Sequence, residues 1–503
     1  MLAHRPHAHV HRLIATLILI AAPLALGISA ARGQSTAASP AATGSSTATV
    51  TSTLNDQREM AVTVYNQNRA LVRDVRRVEL PAGELDLRFM DIAAKINPAT
   101  VHIVSQTAPA ELAVLEQNYE YDLLSPNKLL DKYVGREVTL VQFRMENNST
   151  REVEIRATLL ADNDNNPVWQ VGNQIMTGIG RDRLVFPDLP ANLYSKPTLI
   201  WLLSNRRSGP QTIEASYLTD DMNWNADYVL TMASTEKSAD LNGWVTVVNN
   251  SGTEYRNAQL QLVAGALNVV RPPGIVGGRA MEMKALPAPA PPQFAQENIS
   301  EYHLYTLDRR TTLQNNESKQ ISLLEAANFP VEKHYEVNGQ GYYYQSAMAP
   351  GEPAKDPVEV HLKFRNSEAN KLGMPLPAGT VRVYQADSRG QMQFVGEDHI
   401  NHTPKDERLD LHIGNAFDIV EERKQTDYQK IDRHTSESAF EIRVRNHKST
   451  PVTVEVNEPV GGDWTVLESS FKYEKTSATS VRFLVPVPAD GEAVLTYRIR
   501  VRW

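Results

Sequence analysis

The sequence contains no cysteine. Disulfides, thiolate nucleophiles, cysteine-ligated zinc and lipid attachment through cysteine are therefore excluded. Short catalytic signatures are missing too: there is no G-x-S-x-G nucleophile elbow, no HExxH, no P-loop and no GxGxxG. These absences lower the expectation of an enzyme without abolishing it, since many hydrolases carry no short motif. Basic charge is in deficit, with 51 Lys and Arg against 59 Asp and Glu, a net of −8. An acidic chain argues against non-specific binding to nucleic-acid phosphates or anionic lipid. Long apolar runs are confined to residues 13–26.

That single run sits in a recognisable frame. Arg5 and Arg12 precede it, and small residues at Ala31 and Gly33 permit cleavage before Gln34. It is shorter than the ~20 residues of a membrane span, so residues 1–33 are expected to be a secretory signal peptide, with a retained anchor as the alternative. Residues 34–56, rich in Ser, Thr and Ala, read as a flexible linker. The expected location is the periplasm or the exterior, with no transmembrane span after cleavage.

At 503 residues the chain exceeds one core, and its length suggests about three domains. The clearest element lies in the stretch 216–265. Trp224, Ala226, Tyr228, Leu230 and Met232 alternate with mostly polar neighbours, the period of a strand with one buried face. Asn249-Asn250-Ser251-Gly252 supplies a turn, and Leu260 and Leu262 resume the alternation. Upstream, AVTVYN, LVRDVRRVEL and ELDLRF read as strands, with a turn at Pro81-Ala82-Gly83. Ser125 and Pro126 mark a helix start and Gly135 its stop. Downstream, VEVHLKF, TVRVYQA and MQFVGE read as strands, followed by a polar stretch to about residue 437.

Two weak repeats recur. One is a strand ending in Asn before a polar turn: FRMENNS (143–149), VVNNSG (247–252), KFRNSE (363–368) and RVRNHKS (443–449). The other is a turn of the Pro-Ala-Gly kind at Pro81, Pro377 and Pro488. The expected fold class is all-β: tandem antiparallel, immunoglobulin-like sandwiches with one or two short helices. The expected division is an N-terminal β domain (57–214), a central sandwich (215–437) and a C-terminal immunoglobulin-like domain (438–503). The Pro- and Ala-rich segment 271–300 interrupts the central domain as a surface excursion, with a polyproline-like docking role as the alternative.

The wording W-x-A-x-Y, G-W-V-T-x-x-N-x-S-G-T-x-Y-x-N-A and Q-L-V-A-G within 216–265 resembles the exported bacterial domain-of-unknown-function family 4139. Further carriers are 115–140, 301–326, GEDHINHTPKDE (396–407), NAFDIVEERKQTD (415–427) and RNHKSTPVTVEV, so the resemblance extends over roughly residues 60–503. It implies an exported β-rich protein, distantly like mucoidy-inhibitor proteins, and it brings no established catalytic residues.

Several constellations invite a chemical reading, and each has a blander one. Asp162, Asp164 and Asn166 resemble the opening of a calcium loop, but Pro167 replaces the bending glycine and Asn173 the final Glu, so a hairpin tip is expected. His399 and His402 beside Glu397 and Asp398 are the densest run of metal-ligating types, yet strand and turn residues surround them. Asp220 and Asp221 as strand neighbours point to opposite faces, poorly placed for paired acid/base work. Trp224, Tyr228 and Trp244 fit a core better than a sugar platform. Leu495, Tyr497, Ile499 and Val501 alternate with Arg498, Arg500 and Arg502 and suit a closing sandwich strand better than a membrane-barrel strand.

No catalytic, cofactor-binding or metal-binding residue is assigned on these grounds, and no cofactor is expected. The reading leans away from an enzyme, toward a non-catalytic cell-envelope binding or scaffold protein. Its partner would be an envelope protein or surface polysaccharide, not nucleic acid. A carbohydrate-active or other hydrolase with a site near Asp220 and Trp224 is the alternative.

Overall fold

The computed structural model describes residues 47–120, 124–146, 149–163, 166–179, 183–190, 193–265, 293–348 and 353–503. The expected signal peptide, Asp164 and most of the 271–300 segment lie outside them. Among the described residues the chain is mostly β, with a single α-helix, Pro126–Tyr133, and six antiparallel or mixed sheets.

Alternation in the sequence translates directly into burial. In the strand Met222–Met232, Trp224, Ala226, Tyr228, Leu230 and Met232 all face the core. Asp221, at φ +61°, turns the chain between Gly209–Asp220 and Met222–Met232. That turn also changes sheet. Gly209–Asp220 pairs with Arg69–Leu80 in an eight-stranded sheet, whereas Met222–Met232 pairs with Ser238–Asn249 in a five-stranded one. Tyr255–Ala264 then returns to the first sheet, parallel to Gln57–Tyr65. One continuous apolar core joins these sheets to a four-stranded sheet containing Gly83–Met90 and Thr198–Asn205.

Two further sheets enclose a second core. One has six strands, in the order Arg408–Asn415, Glu359–Arg365, Glu332–Asn338, Val452–Pro459, Ser480–Val487 and Tyr473–Ser477. The other orders Ile419–Lys430, Thr435–Asn446, Gly491–Arg502 and Asp463–Ser469. Leu495, Tyr497, Ile499 and Val501 of the last strand face this core. The limits expected at 214/215 and 437/438 fall inside the strands Gly209–Asp220 and Thr435–Asn446.

A third, small core belongs to residues inserted between Leu112–Glu120 and Thr198–Asn205, which pair with each other. The helix lies here. Ser125 caps it by accepting the Lys128 N–H at 3.2 Å, and Gly135 stops it at φ +82°.

Two expectations require correction. The linker region 34–56 is not flexible throughout: Ala48–Ser52 is a strand parallel to Gly83–Met90. The Ser52 carbonyl accepts from the buried guanidinium of Arg76, which is also paired with Asp74. The polar stretch before residue 437 holds two paired strands, Arg408–Asn415 and Ile419–Lys430. Ionisable residues interrupt both, Arg408, Asp410 and His412 outward and Glu421 and Arg423 inward, which dilutes the apolar signal of Leu409, Leu411 and Ile419, all buried.

The two weak repeats acquire a physical meaning. Asn249, Asn366 and Asn446, each almost wholly buried, end strands and bind the turns around them. The Asn446 amide donates to the carbonyls of Thr450 and Pro488, both at 2.9 Å, while its oxygen accepts the Lys448 N–H. Asn249 donates to Thr253 and Gln314, and Asn366 to Met374 and Pro404. Asn205 does the same with Pro81 and Arg207. At Pro488, therefore, the asparagine of one repeat holds the proline turn of the other, and Asn205, outside the repeat, holds Pro81 in the same way. Replacing Asn446 with Ala orphans both carbonyls, and a loss of about 1–3 kcal/mol is expected, read as a lowered urea midpoint. An unchanged midpoint would show that the turn holds without the amide.

Candidate binding face

The six-stranded sheet of the second core turns one face inward and the other outward. In Glu332–Asn338, Tyr335 and Val337 are buried in that core, and Glu332, His334, Glu336 and Asn338 take the opposite face. In Glu359–Arg365 the outward residues are Glu359, His361, Lys363 and Arg365; in Arg408–Asn415 they include Arg408, Asp410 and His412. Val452–Pro459 contributes Glu455 and Asn457, and Ser480–Val487 contributes Arg482. Register then puts like beside like: His334 lies opposite His361, and His361 opposite His412. The His361 and His412 rings stack at 5.2 Å.

These side chains form a closed circuit. Asp410 Oδ1 meets His361 Nδ1 at 2.7 Å, and His361 Nε2 lies 3.3 Å from Glu359. Asn338 donates to Glu359 at 2.8 Å, and Asn457 donates to both Asn338 and Glu336. Lys363 closes the ring, with its ammonium 2.5 Å from Glu336 and 3.3 Å from Asp410. Beside it, Glu455 holds His334 at 2.6 Å and Arg482 at 3.2 Å. Burial disfavours a charged His361 ring, but the hydrogen bonds to Asp410 and Glu359 outweigh it and raise its pKa above the usual histidine value. Lys363 is raised in the same way: burial opposes the charge, and Glu336 overcomes it. Within the circuit Glu336, Glu359 and Asp410 outnumber Lys363, while Arg365 and Arg408 hold the next outward positions of the same face. Glu336, His361 and Asp410 can together hold a cation.

On the inner side lies a second polar cluster. Arg423, fully buried, contacts Glu458 at 2.5 Å, Asp356 at 3.0 Å and Glu421 at 3.5 Å. Tyr344 donates to Glu458 at 2.6 Å and meets Tyr497 at 2.9 Å. Gly339 is required beside it, because a Cβ there would stand 2.3 Å from Glu458 Oε2. Arg423, Glu421, Glu458, Tyr344 and Tyr497 are all within 2% of complete burial. This is a structural knot, closed to substrate.

The constellations singled out in the sequence do not converge. Asp220 is half exposed and held by Arg69 at 2.9 Å, while Asp221 accepts from Asn68. Trp224 is buried, with its indole N–H donating to the Val263 carbonyl, so it shares no site with Asp220. Trp244 belongs to the face of its strand opposite to the one that meets Tyr228. His402 accepts the Ala378 N–H, and burial lowers its pKa. The His399 N–H binds Asp398, and Glu397 pairs with Arg382. Asp162 and Asn166 flank a hairpin tip. Sequence reasoning passed over Glu336, His361, Lys363 and Asp410 because they are spread over three strands. The alternation E-x-H-x-E, E-x-H-x-K and D-x-H was the available signal.

The knot makes a pH prediction. Burial pushes the Glu421 carboxyl up to about 7 from an ordinary 4.5, against the opposing pull of Arg423. The folded chain thus holds this proton more tightly than the unfolded chain does. Its contribution to stability is full below about pH 4.5 and is lost as pH rises through about 7. Glu421→Gln, which keeps a neutral group at all pH values, is expected to flatten that decline in urea midpoints. Identical slopes in the two proteins would contradict it.

A search of curated proteins returns no match. The family described as "Domain of unknown function (DUF4139)" matches residues 213–503. That range takes in the five-stranded sheet, both sheets around the second core and every residue of the circuit, whereas 60–212 lie outside it. The chain belongs to the DUF4139 family.

Proposed function

We propose that this is an exported cell-envelope protein that binds an envelope protein or surface polysaccharide without catalysis, using the outer face of the sheet Glu332–Asn338 in a tandem, immunoglobulin-like sandwich. The circuit that joins Asp410, His361, Glu359, Asn338, Asn457, Glu336 and Lys363 carries this reading. Donors and acceptors fixed to adjacent strands lose little freedom when a ligand replaces one of their mutual contacts. Alternating carboxylate, amide and imidazole groups suit paired hydroxyls of a sugar chain or a basic protein segment. The carboxylates grouped in the circuit disfavour an acidic group placed against them. Export rests on the n-region, apolar run and small residues of 1–33. No helix among the described residues is long and apolar enough to cross a membrane.

The test is capture of envelope polysaccharide and envelope proteins from the source cells by the immobilised chain. Glu336→Gln combined with Asp410→Asn is expected to weaken capture at least tenfold. Arg443→Gln, on the other sheet of the second core, should leave it unchanged. Equal capture by the face variant would remove this surface, and turnover of a captured polymer would overturn the non-catalytic reading.

A further inference from the structure

The geometry points to a divalent transition-metal site of the zinc class formed by Glu336, His361 and Asp410. One ligand atom from each of these residues lies within 4.8 Å of the others. They come from three adjacent strands of one sheet, so backbone pairing rather than a mobile loop sets their spacing. Closing to the ~2.0–2.2 Å of zinc bonds needs side-chain adjustment only.

The occupant of the centre identifies what the site wants. Lys363 reaches between Glu336 and Asp410 and contacts both, so the position already requires positive charge. An ammonium on a four-carbon stem can withdraw, and a divalent ion would replace its single charge with two. The imidazole decides the class of ion. Calcium and magnesium favour all-oxygen shells, whereas one nitrogen with carboxylates suits zinc and its neighbours. Two surroundings strengthen the choice. Glu359 binds the other side of the His361 ring, as outer partners of metal-bound histidines do. The exposed His412, stacked on His361, offers an adjoining imidazole, and solvent supplies any remaining ligand. Binding is then a competition: the ion displaces Lys363 and any proton on His361, and Lys363 acts as a tethered counter-ion that weakens the site until metal arrives.

This site does not depend on the polymer-binding reading, because ion binding is measured without any partner. The experiment is titration of the purified, tag-free chain with zinc against a chromophoric competitor, with circular dichroism confirming that each variant folds. One saturable equivalent is expected. His361→Ala and Asp410→Asn should each weaken it at least tenfold, and Lys363→Met should tighten it about tenfold by removing the internal competitor. His399→Ala combined with His402→Ala should leave it unchanged. If His361→Ala fails to fold, His361→Gln and the zinc-edge absorption spectrum, which should show mixed nitrogen and oxygen ligation, take its place. No saturable zinc in either the parent or Lys363→Met would overturn the site. So would equal binding by Asp410→Asn, and equal competition by calcium would overturn the ion class.

Discussion

A one-residue slip between Tyr335–Asn338 and Val454–Asn457 would turn one strand of the six-stranded sheet inside out. These segments pair in parallel, with Tyr335 opposite Val454 and Glu336 opposite Glu455. Side chains alternate at period two, so a slip of Val452–Pro459 would turn Val454 and Val456 to solvent and drive Glu455 and Asn457 into the core. Each exposed valine forfeits about 1.5–3 kcal/mol, and an unpaired buried carboxylate costs more. The apolar core therefore sets the spacing of the polar face. What holds the chain together and what presents ligand groups are two sides of one register.

The polar interior reinforces that register at its ends. Glu458 follows Asn457 on the same strand but points inward, where Arg423 and Tyr344 receive it. Arg423 thereby ties Ile419–Lys430 of the opposing sheet to Val452–Pro459 and to the segment carrying Asp356. A buried ion pair adds little net stability over apolar packing, but an unpaired member is expensive, so the knot penalises misaligned alternatives. The buried asparagines act on turns in the same way. Asn205, Asn249, Asn366 and Asn446 each accept and donate within a small set of backbone groups that a shifted strand would leave unpaired.

Local patterns were legible in the sequence. Trp224 through Met232 announced a half-buried strand, and Ser125, Pro126 and Gly135 bounded the helix. The asparagine turns showed as repeats, although nothing local said that their side chains are buried. Neighbour relations were not legible. His334 and Glu455 touch across 121 residues of sequence, and no short motif spans such a distance. Arg408–Asn415 was hidden for a further reason: its outward Asp410 and His412 made a paired strand read as part of a polar stretch. The candidate site was therefore written in ordinary strand residues, and only the sheet order assembles it.

The claim that this face meets the ligand is tested most directly by histidine footprinting. The chain is treated with diethyl pyrocarbonate, with and without the polysaccharide or protein it captures, and modification is followed at each histidine by mass spectrometry. Slower modification at His361 and His412 is expected when the partner is saturating, with His399 unchanged. Unaltered rates at His361 and His412 under saturating partner would contradict it.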